Sequence, residues 1–357
     1  MKQTLALKLQ PSPDQADALT RTMTAFNAAC NAIAEVAYRE RSANKVKLQK
    51  LVYYDIRTRF DLSAQLTVRA IAKVAEAYKR DKTRQPRFRP TGAITYDQRI
   101  LSFKGLDRVS LLTLDGRQLI SFIYGMYQAA RLDRIKGQAD LVVCDEVFYL
   151  YATIDVPEPP LTEPSEFLGV DLGIVNLATD SDGTVQSGKT VQSVRHHHAR
   201  LRQKLQSKGT KSAKRLLKKR RRKETRFQRD VNHCLSKRLV AIAQDTGRGL
   251  ALEDLTGIRD QIRLRRAQRR SQHRWAFRQL RAFIEYKARL AGVSVVLVNP
   301  RHTSRMCPAC GHCEKANRRS QSRFSCVACS FAANADVVAA MNIGRAAVNQ
   351  PHADAAA

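Results

Sequence analysis

The stretch Thr303–Ile343, TSRMCPACGHCEKANRRSQSRFSCVACSFAANADVVAAMNI, decides how the chain is read, because it joins two cysteine doublets directly to an isolated acid. Cys307 and Cys310 are two residues apart, as are Cys326 and Cys329, and fifteen residues separate the doublets. This is zinc-ribbon spacing. Each C-x-x-C turn brings two thiolates to one cation, and four sulfurs close a tetrahedral shell with no position left for substrate, so the expected Zn²⁺ is structural. Gly311 suits the tight turn after the first doublet. Cys313 extends that doublet to C-x-x-C-x-x-C and could replace Cys310; the reading adopted makes it a bystander. In the following ADVVAAMNIG, Val337, Ala340 and Met341 keep helical spacing beside Asp336. Taken alone, Asp336 reads as an N-terminal helix cap. The acids upstream give it a second reading.

The 357 residues, 43% of them hydrophobic, suffice for two or three domains with proper cores and exclude disorder throughout. Against 32 acidic residues stand 63 basic ones, a net charge of +31, and the pI is near 10.3. Such a charge implies a polyanionic partner. No apolar run approaches the roughly 20 residues of a membrane-spanning helix. The opening MKQTLALKLQPSPDQ lacks the apolar region of a secretory signal. A cytoplasmic, nucleoid-associated protein without a membrane partner is expected. Cys30, Cys144 and Cys234, scattered singly, fit reduced buried thiols.

Residues 3–9 alternate as a short strand, and the Pro11–Pro13 break leads into a long helical pattern with Leu19, Met23, Phe26 and Ala29 on one face. Helical stretches follow over 45–59 and 63–79, the second opening at a Ser63 cap. From Arg84 the chain turns to short alternating strands and a hairpin, which predicts a small antiparallel barrel. Arg87, Phe88, Arg89 and Tyr96 form a basic, aromatic-interleaved rim that either contacts nucleic acid or packs the barrel edge. VPEPPLTEPSE, residues 156–166, is the clearest connector.

Beyond it, FLGVDLGIVNLATDSDGTVQ reads as an apolar strand ending at Asp171, a glycine, a second strand and a turn at Asp182-Gly183. A carboxylate at the end of a buried strand is costly to desolvate unless a metal or cation neutralises it. LALEDLTGI repeats the arrangement with Glu253, while Asp254 should face the opposite side of the sheet. Between these strands, residues 200–229 hold a single acid, Glu224, and include the run Lys218, Lys219, Arg220, Arg221, Arg222 and Lys223. Unmixed sign over that length favours a phosphate backbone over a solvated helix face. His196, His197 and His198 have no partners at metal-ligand spacing and read as surface residues. A second basic patch holds Arg265, Arg266, Arg269 and Arg270, and an amphipathic helix is expected over 275–290. Strand and helix then alternate as in an α/β nuclease core.

Asp171, Glu253 and Asp336 thus stand at two strand ends and one helix start. Three such carboxylates are what two-metal phosphodiester hydrolysis requires, with hard oxygens suiting Mg²⁺ and, by contrast, soft sulfurs suiting zinc. GVDLGIVNLATDSDG, LALEDLTGI and CPAC…CVAC…ADVVAAMNIG resemble the three split RuvC motifs and embedded zinc ribbon of the TnpB family of transposon-encoded proteins, which are similar to compact type V CRISPR effectors. The resemblance covers about Phe167 to Gly344, including YKARLAG and HTSRMC, while the first half matches only in layout.

The resemblance implies an α/β RNase H-like (RuvC) nuclease domain with an inserted zinc ribbon, preceded by a small β-barrel (wedge) domain carrying a helical recognition insert. The implied divisions are 1–12 for the first wedge strand, 13–82 for the insert, 83–160 for the barrel and 161–302 for the nuclease core. The ribbon takes 303–332, the last RuvC segment 333–348 and a disordered tail 349–357. It implies RNA-guided DNA cleavage with Asp171, Glu253 and Asp336 holding Mg²⁺, the partners being a guide RNA from the element and double-stranded target DNA, as a monomer or homodimer. The zinc ligands would be Cys307, Cys310, Cys326 and Cys329. The pattern departs at Val338, where members of the family usually carry Asn, so a supporting side chain is missing. A CRISPR effector and a nuclease-silent RNA-guided repressor are the competing readings; the second predicts loss of an acid.

Overall fold

The computed structural model describes residues 1–255 and 277–349. The chain divides into two units, Met1–Pro157 and Glu158–Ala357, at a point inside the Pro- and Glu-rich segment.

The first unit opens with β1 (Lys2–Gln10), whose Leu5, Leu7 and Leu9 face inward at period two. Ser12 and Gln15 then form a reciprocal capping box, with Pro13 in the first turn, and start α1 (Pro13–Arg39). α2 (Lys45–Arg59) and α3 (Ala64–Arg80) follow, capped by Asn44 and Ser63. The chain returns to the sheet as β2 (Ile94–Tyr96), β3 (Leu101–Lys104), β4 (Arg108–Thr113) and β5 (Gly116–Ile123). After the short α4 (Met126–Ala129), β6 (Ile135–Cys144) and β7 (Val147–Asp155) form a hairpin whose two turn residues, Asp145 and Glu146, take positive φ.

All seven strands pair antiparallel in the order β2-β6-β7-β1-β5-β4-β3. The two edge strands are neighbours in sequence, so the sheet curls nearly closed. Tyr96 crosses the gap, its buried ring leading to a hydroxyl that donates to the Leu112 carbonyl at 3.0 Å. Tyr96 is therefore core and no part of an exposed rim.

The second unit contains a five-stranded sheet in the order β10-β9-β8-β11-β12. Its members are β8 (Phe167–Asp171), β9 (Asn176–Asp180), β10 (Val185–Ser187), β11 (Gly249–Glu253) and β12 (Val295–Val298). β8, β11 and β12 run parallel, and β9 and β10 continue as an antiparallel meander. α5 (Lys189–Lys208) and α6 (Lys211–Asp245) connect β10 to β11, and α7 (Phe277–Ala291) precedes β12. β13 (Arg323–Ser325) pairs with β14 (Ala332–Asn334), and α8 (Ala335–Val348) ends the described chain.

Period two decides what each face of the sheet carries. Leu168 and Val170 of β8, with Leu250 and Leu252 of β11, pack against Leu235 and Leu239 of α6 and Leu280 and Ile284 of α7. Phe167 and Ala251 turn to the opposite face, where Ile343 and Ala347 of α8 cover them. Gly169 lies on that second face, and α8 approaches so closely that a Cβ there would meet the Ala340 carbonyl oxygen at 1.9 Å and the Gly344 nitrogen at 2.4 Å. Both obstacles are backbone. Gly169→Ala is therefore expected to destabilise the chain by about 3 kcal/mol or more, read as a lower urea midpoint; an unchanged midpoint would mean that α8 does not pack as described.

Candidate active site

Parity on β8 and β11 carries past the glycine to the strand ends. Asp171 follows Phe167 and Gly169 on the α8 face, and Glu253 follows Gly249 and Ala251. The parallel register pairs Leu252 with Val170, which sets Glu253 beside Asp171 at the carboxyl edge of the sheet. α8 begins over the same edge. Its cap is Asn334, whose side-chain oxygen accepts from the Asp336 and Val337 amides, so Asp336 is a first-turn residue and not the cap. The freed amides of a helix start favour a carboxylate there.

Asp171 senses both of the other acids. Burial, then the charges of Glu253 and Asp336, push the Asp171 carboxyl up to about 7, with Arg318 opposing. Burial also raises Glu253, against a hydrogen bond from Thr303 and the charge of Arg318. Asp336 receives the Asn176 side-chain amide at 2.8 Å on Oδ2 and the Arg318 guanidinium at 3.2 Å on Oδ1. The Thr303 hydroxyl lies 2.6 Å from Glu253 Oε1, and the Thr303 backbone carbonyl accepts from the Asn342 amide at 2.7 Å.

This donor set fits a hard divalent cation: three carboxylates, largely desolvated, share one short edge with, among the described residues, the Arg318 guanidinium against them. The carboxylate oxygens do not draw within 4.8 Å as one group; among the described residues only Cys307, Cys310, Cys326 and Cys329 do so. The spread suits ligands divided between two ions more than three ligands on one.

The four sulfurs come together from the two doublets, and exposed Cys313 stays outside them, its backbone bridged to Met306. Val338 is fully buried with Cys307, Phe324, Cys326 and Ala335, so the side chain that departs from the family pattern packs the ribbon onto α8. One turn on, Asn342 ties α8 to the 303–306 segment. Asp254 faces away from Glu253 and pairs with Arg281 at 3.0 Å.

Lys218, Lys219, Arg221 and Lys223 are exposed along α6, with Arg220 and Arg222 half-buried. Glu224 turns inward toward Arg202 on α5, and His198 beside it is only 15% exposed in its side chain, so this histidine is not a surface residue. Cys144 and Cys234 are exposed, contrary to the expectation of burial; Cys30 alone of the single thiols is buried. Arg265, Arg266, Arg269 and Arg270 lie outside the described residues. Arg318, Asn176, Thr303 and Asn342 escaped the sequence reading. Thr303, Asn176 and Asn342 had a signal in their places in HTSRMC, GVDLGIVNLATDSDG and ADVVAAMNIG.

The raised Asp171 gives metal-free stability a definite slope. Its contribution is fully present below the ordinary value of 3.8 and is lost as pH rises through about 7. In Mg²⁺-free buffer with zinc retained, Asp171→Asn is expected to flatten that slope. Above the transition it should exceed the parent in stability by on the order of 2 kcal/mol, from 1.36 kcal/mol per unit discounted for partial solvation. Urea titrations across this range check it, and parallel curves would remove Asp171 from the acidic cluster.

The known proteins that resemble the chain fall on the same segments. A family model described as a probable transposase matches residues 149–257, and the Cas12f1-like TNB domain model matches 277–343. The TnpB-like protein MJ0751 of Methanocaldococcus jannaschii is 28% identical over 260 residues, 68% of this chain and 92% of that one. The putative RNA-guided DNA endonuclease InsQ of Escherichia coli is 29% identical over 220 residues, 56% of this chain and 54% of its own. The CRISPR-associated endodeoxyribonuclease Cas12f1 of Sulfoacidibacillus thermotolerans is 39% identical over 118 residues, 33% of this chain and 26% of its own. The chain thus spans about half of the bacterial relative and a quarter of the CRISPR one. The solved mini-RNA-guided endonuclease CRISPR-Cas_phi3 shares the fold, with a TM-score of 0.60 at 10% identity over 98% of this chain and 93% of that one. The acids and cysteines of the split motifs lie inside the matched segments, and the chain is similar to an archaeal TnpB-like protein over nearly the whole length of that relative.

Proposed function

We propose that the protein is an RNA-guided, Mg²⁺-dependent DNA endonuclease of a mobile element, with an RNase H-like (RuvC) domain that cleaves target DNA beside a short flanking motif. The observation that carries the reading is the common face of Asp171, Glu253 and Asp336, three acids coupled at the carboxyl edge of parallel strands in a chain of net charge +31. The names of the relatives support guidance by RNA and DNA as substrate. Similarity to Cas12f1 over 118 residues also favours a second reading, a compact CRISPR effector using the same site.

In this reading Asp171, Glu253 and Asp336 hold two Mg²⁺ ions, which supply a nucleophile from water and stabilise the leaving oxygen. Thr303 fixes the Glu253 carboxylate, and Asn176 and Arg318 fix both oxygens of Asp336. Arg318 offsets the local negative charge. Cys307, Cys310, Cys326 and Cys329 hold a structural zinc that keeps the segment carrying Arg318 folded against α8. The exposed bases of α6 meet a nucleic-acid backbone.

Purifying the protein from cells that carry its native locus and sequencing the nucleic acid retained through a high-salt wash tests guidance. One defined RNA with an end in the flanking sequence is expected; heterogeneous nucleic acid alone would overturn guidance. With that RNA, Asp171→Asn, Glu253→Gln and Asp336→Asn should each abolish Mg²⁺-dependent cleavage while RNA binding persists. Thr303→Val should lose about 10–100-fold, as supporting residues of metal ligands typically do. Metal analysis of purified variants checks the ribbon: Cys329→Ser should lose bound zinc and Cys313→Ser should keep it.

A further inference from the structure

The segment 82–93, KTRQPRFRPTGA, has no acid and no regular secondary structure, yet the first unit secures it with buried and half-buried polar side chains. Asn31 on α1 holds Phe88 at both backbone groups: its amide donates to the Phe88 carbonyl at 2.9 Å and its oxygen accepts the Phe88 amide at 2.8 Å. Asn27, fully buried one turn earlier, donates to the carbonyls of Pro90 at 3.2 Å and Gly92 at 2.9 Å. Its oxygen accepts from the Lys73 ammonium at 3.0 Å, which also donates to the Ala93 carbonyl. That ammonium lies 5.0 Å from the Phe88 ring centre and 5.4 Å from that of Phe26. Gly92 leaves room for the clamp, since a Cβ there would come within 3.0 Å of Asn27 Oδ1 and of the Arg89 carbonyl.

Burying the Asn27 amide is unfavourable unless its bonds are satisfied, and here its bonds, with those of half-buried Asn31 and Lys73, are spent on one irregular segment. What it displays is charge. Phe88 turns inward while Arg87 and Arg89 are exposed, and neither guanidinium has a partner among the described residues. Pro86 and Pro90 narrow the backbone freedom on either side, and the residue before a proline favours extended conformations, which suits Arg89. Two side chains on the same side of an extended segment stand about 6.6 Å apart, at 3.3 Å per residue. That separation lets two guanidiniums engage neighbouring phosphates of one strand, each by the paired donors that match phosphate oxygens.

We infer that the clamped segment 84–89 is a nucleic-acid grip in the first unit, in which Arg87 and Arg89 hold consecutive phosphates of a backbone. It rests on the proposed nucleic-acid function and adds a surface separate from the carboxylates and from α6. Because the phosphodiester is common to guide RNA and target DNA, the test carries both.

The full-length protein is titrated with a mixed-sequence single-stranded RNA and a mixed-sequence duplex DNA at several salt concentrations, as the parent and as Arg87→Gln/Arg89→Gln. Removing two phosphate contacts should lower the slope of log K against log salt by about 2 for the nucleic acid gripped, since each contact contributes about 1. The other nucleic acid keeps its slope, and that difference identifies the source. Asn31→Ala, which keeps both charges and frees the segment, should weaken the same interaction several-fold. Both arginines are exposed, so thermal unfolding of the double variant should match the parent. A parent that binds with strong salt dependence and a double variant with both slopes unchanged would overturn the grip alone. A parent that binds neither nucleic acid would overturn the grip together with the proposed function.

Discussion

The distance between α8 and β8 is the constraint on which the second unit depends. Gly169 admits the backbone of Ala340 and Gly344 where any side chain would collide. That contact brings the helix start down to the carboxyl edge of β8 and β11, so an acid in its first turn joins acids at the strand ends. The parallel register and the two-residue period do the rest, by putting Asp171 and Glu253 on the face that α8 covers. An approach one side chain wider would leave the same three residues in place along the chain and remove Asp336 from the other two.

Convergence has an electrostatic consequence. Like charges in a partly desolvated pocket oppose folding, and the rise of Asp171 to about 7 expresses that opposition. The chain relieves it in part through Arg318, through the side-chain amide of Asn176 and through the Thr303 hydroxyl. The relief is incomplete, which is what the proposed divalent-cation site would require. Arg318 comes from between the cysteine doublets, so the proposed structural zinc and the proposed catalytic ions are linked through one side chain.

Positive charge is presented in two different ways. On α6 it is a helical run in which regular backbone hydrogen bonds do the positioning and Glu224 turns inward. At 84–89 there is no helix to do it, and buried Asn27 with half-buried Asn31 and Lys73 supplies the order instead. A solvated basic loop has no need of such support.

The strands ending at Asp171 and Glu253, the capped helices, the cysteine doublets and the opposed directions of Glu253 and Asp254 were all legible in the sequence. These depend on period, cap chemistry and spacing within a few residues, which the chain carries locally. Asp336 was legible as an acid at a helix start, but its place in the first turn behind the Asn334 cap was not, because both residue types cap helices. Arg318 and the Asn31 clamp gave no local signal, and Asn176, though inside a quoted motif, gave none of its partner: the Asn176–Asp336 bond joins residues 160 positions apart. The exposure of Cys144 and Cys234, the burial of Tyr96 and the turning of His198 toward Glu224 likewise depend on which elements pack together. The sequence by itself determined which chemical groups the protein carries and on which face of each element they lie. Only the tertiary structure decided which of them meet, because contact across the chain is set by how closely backbones can pack.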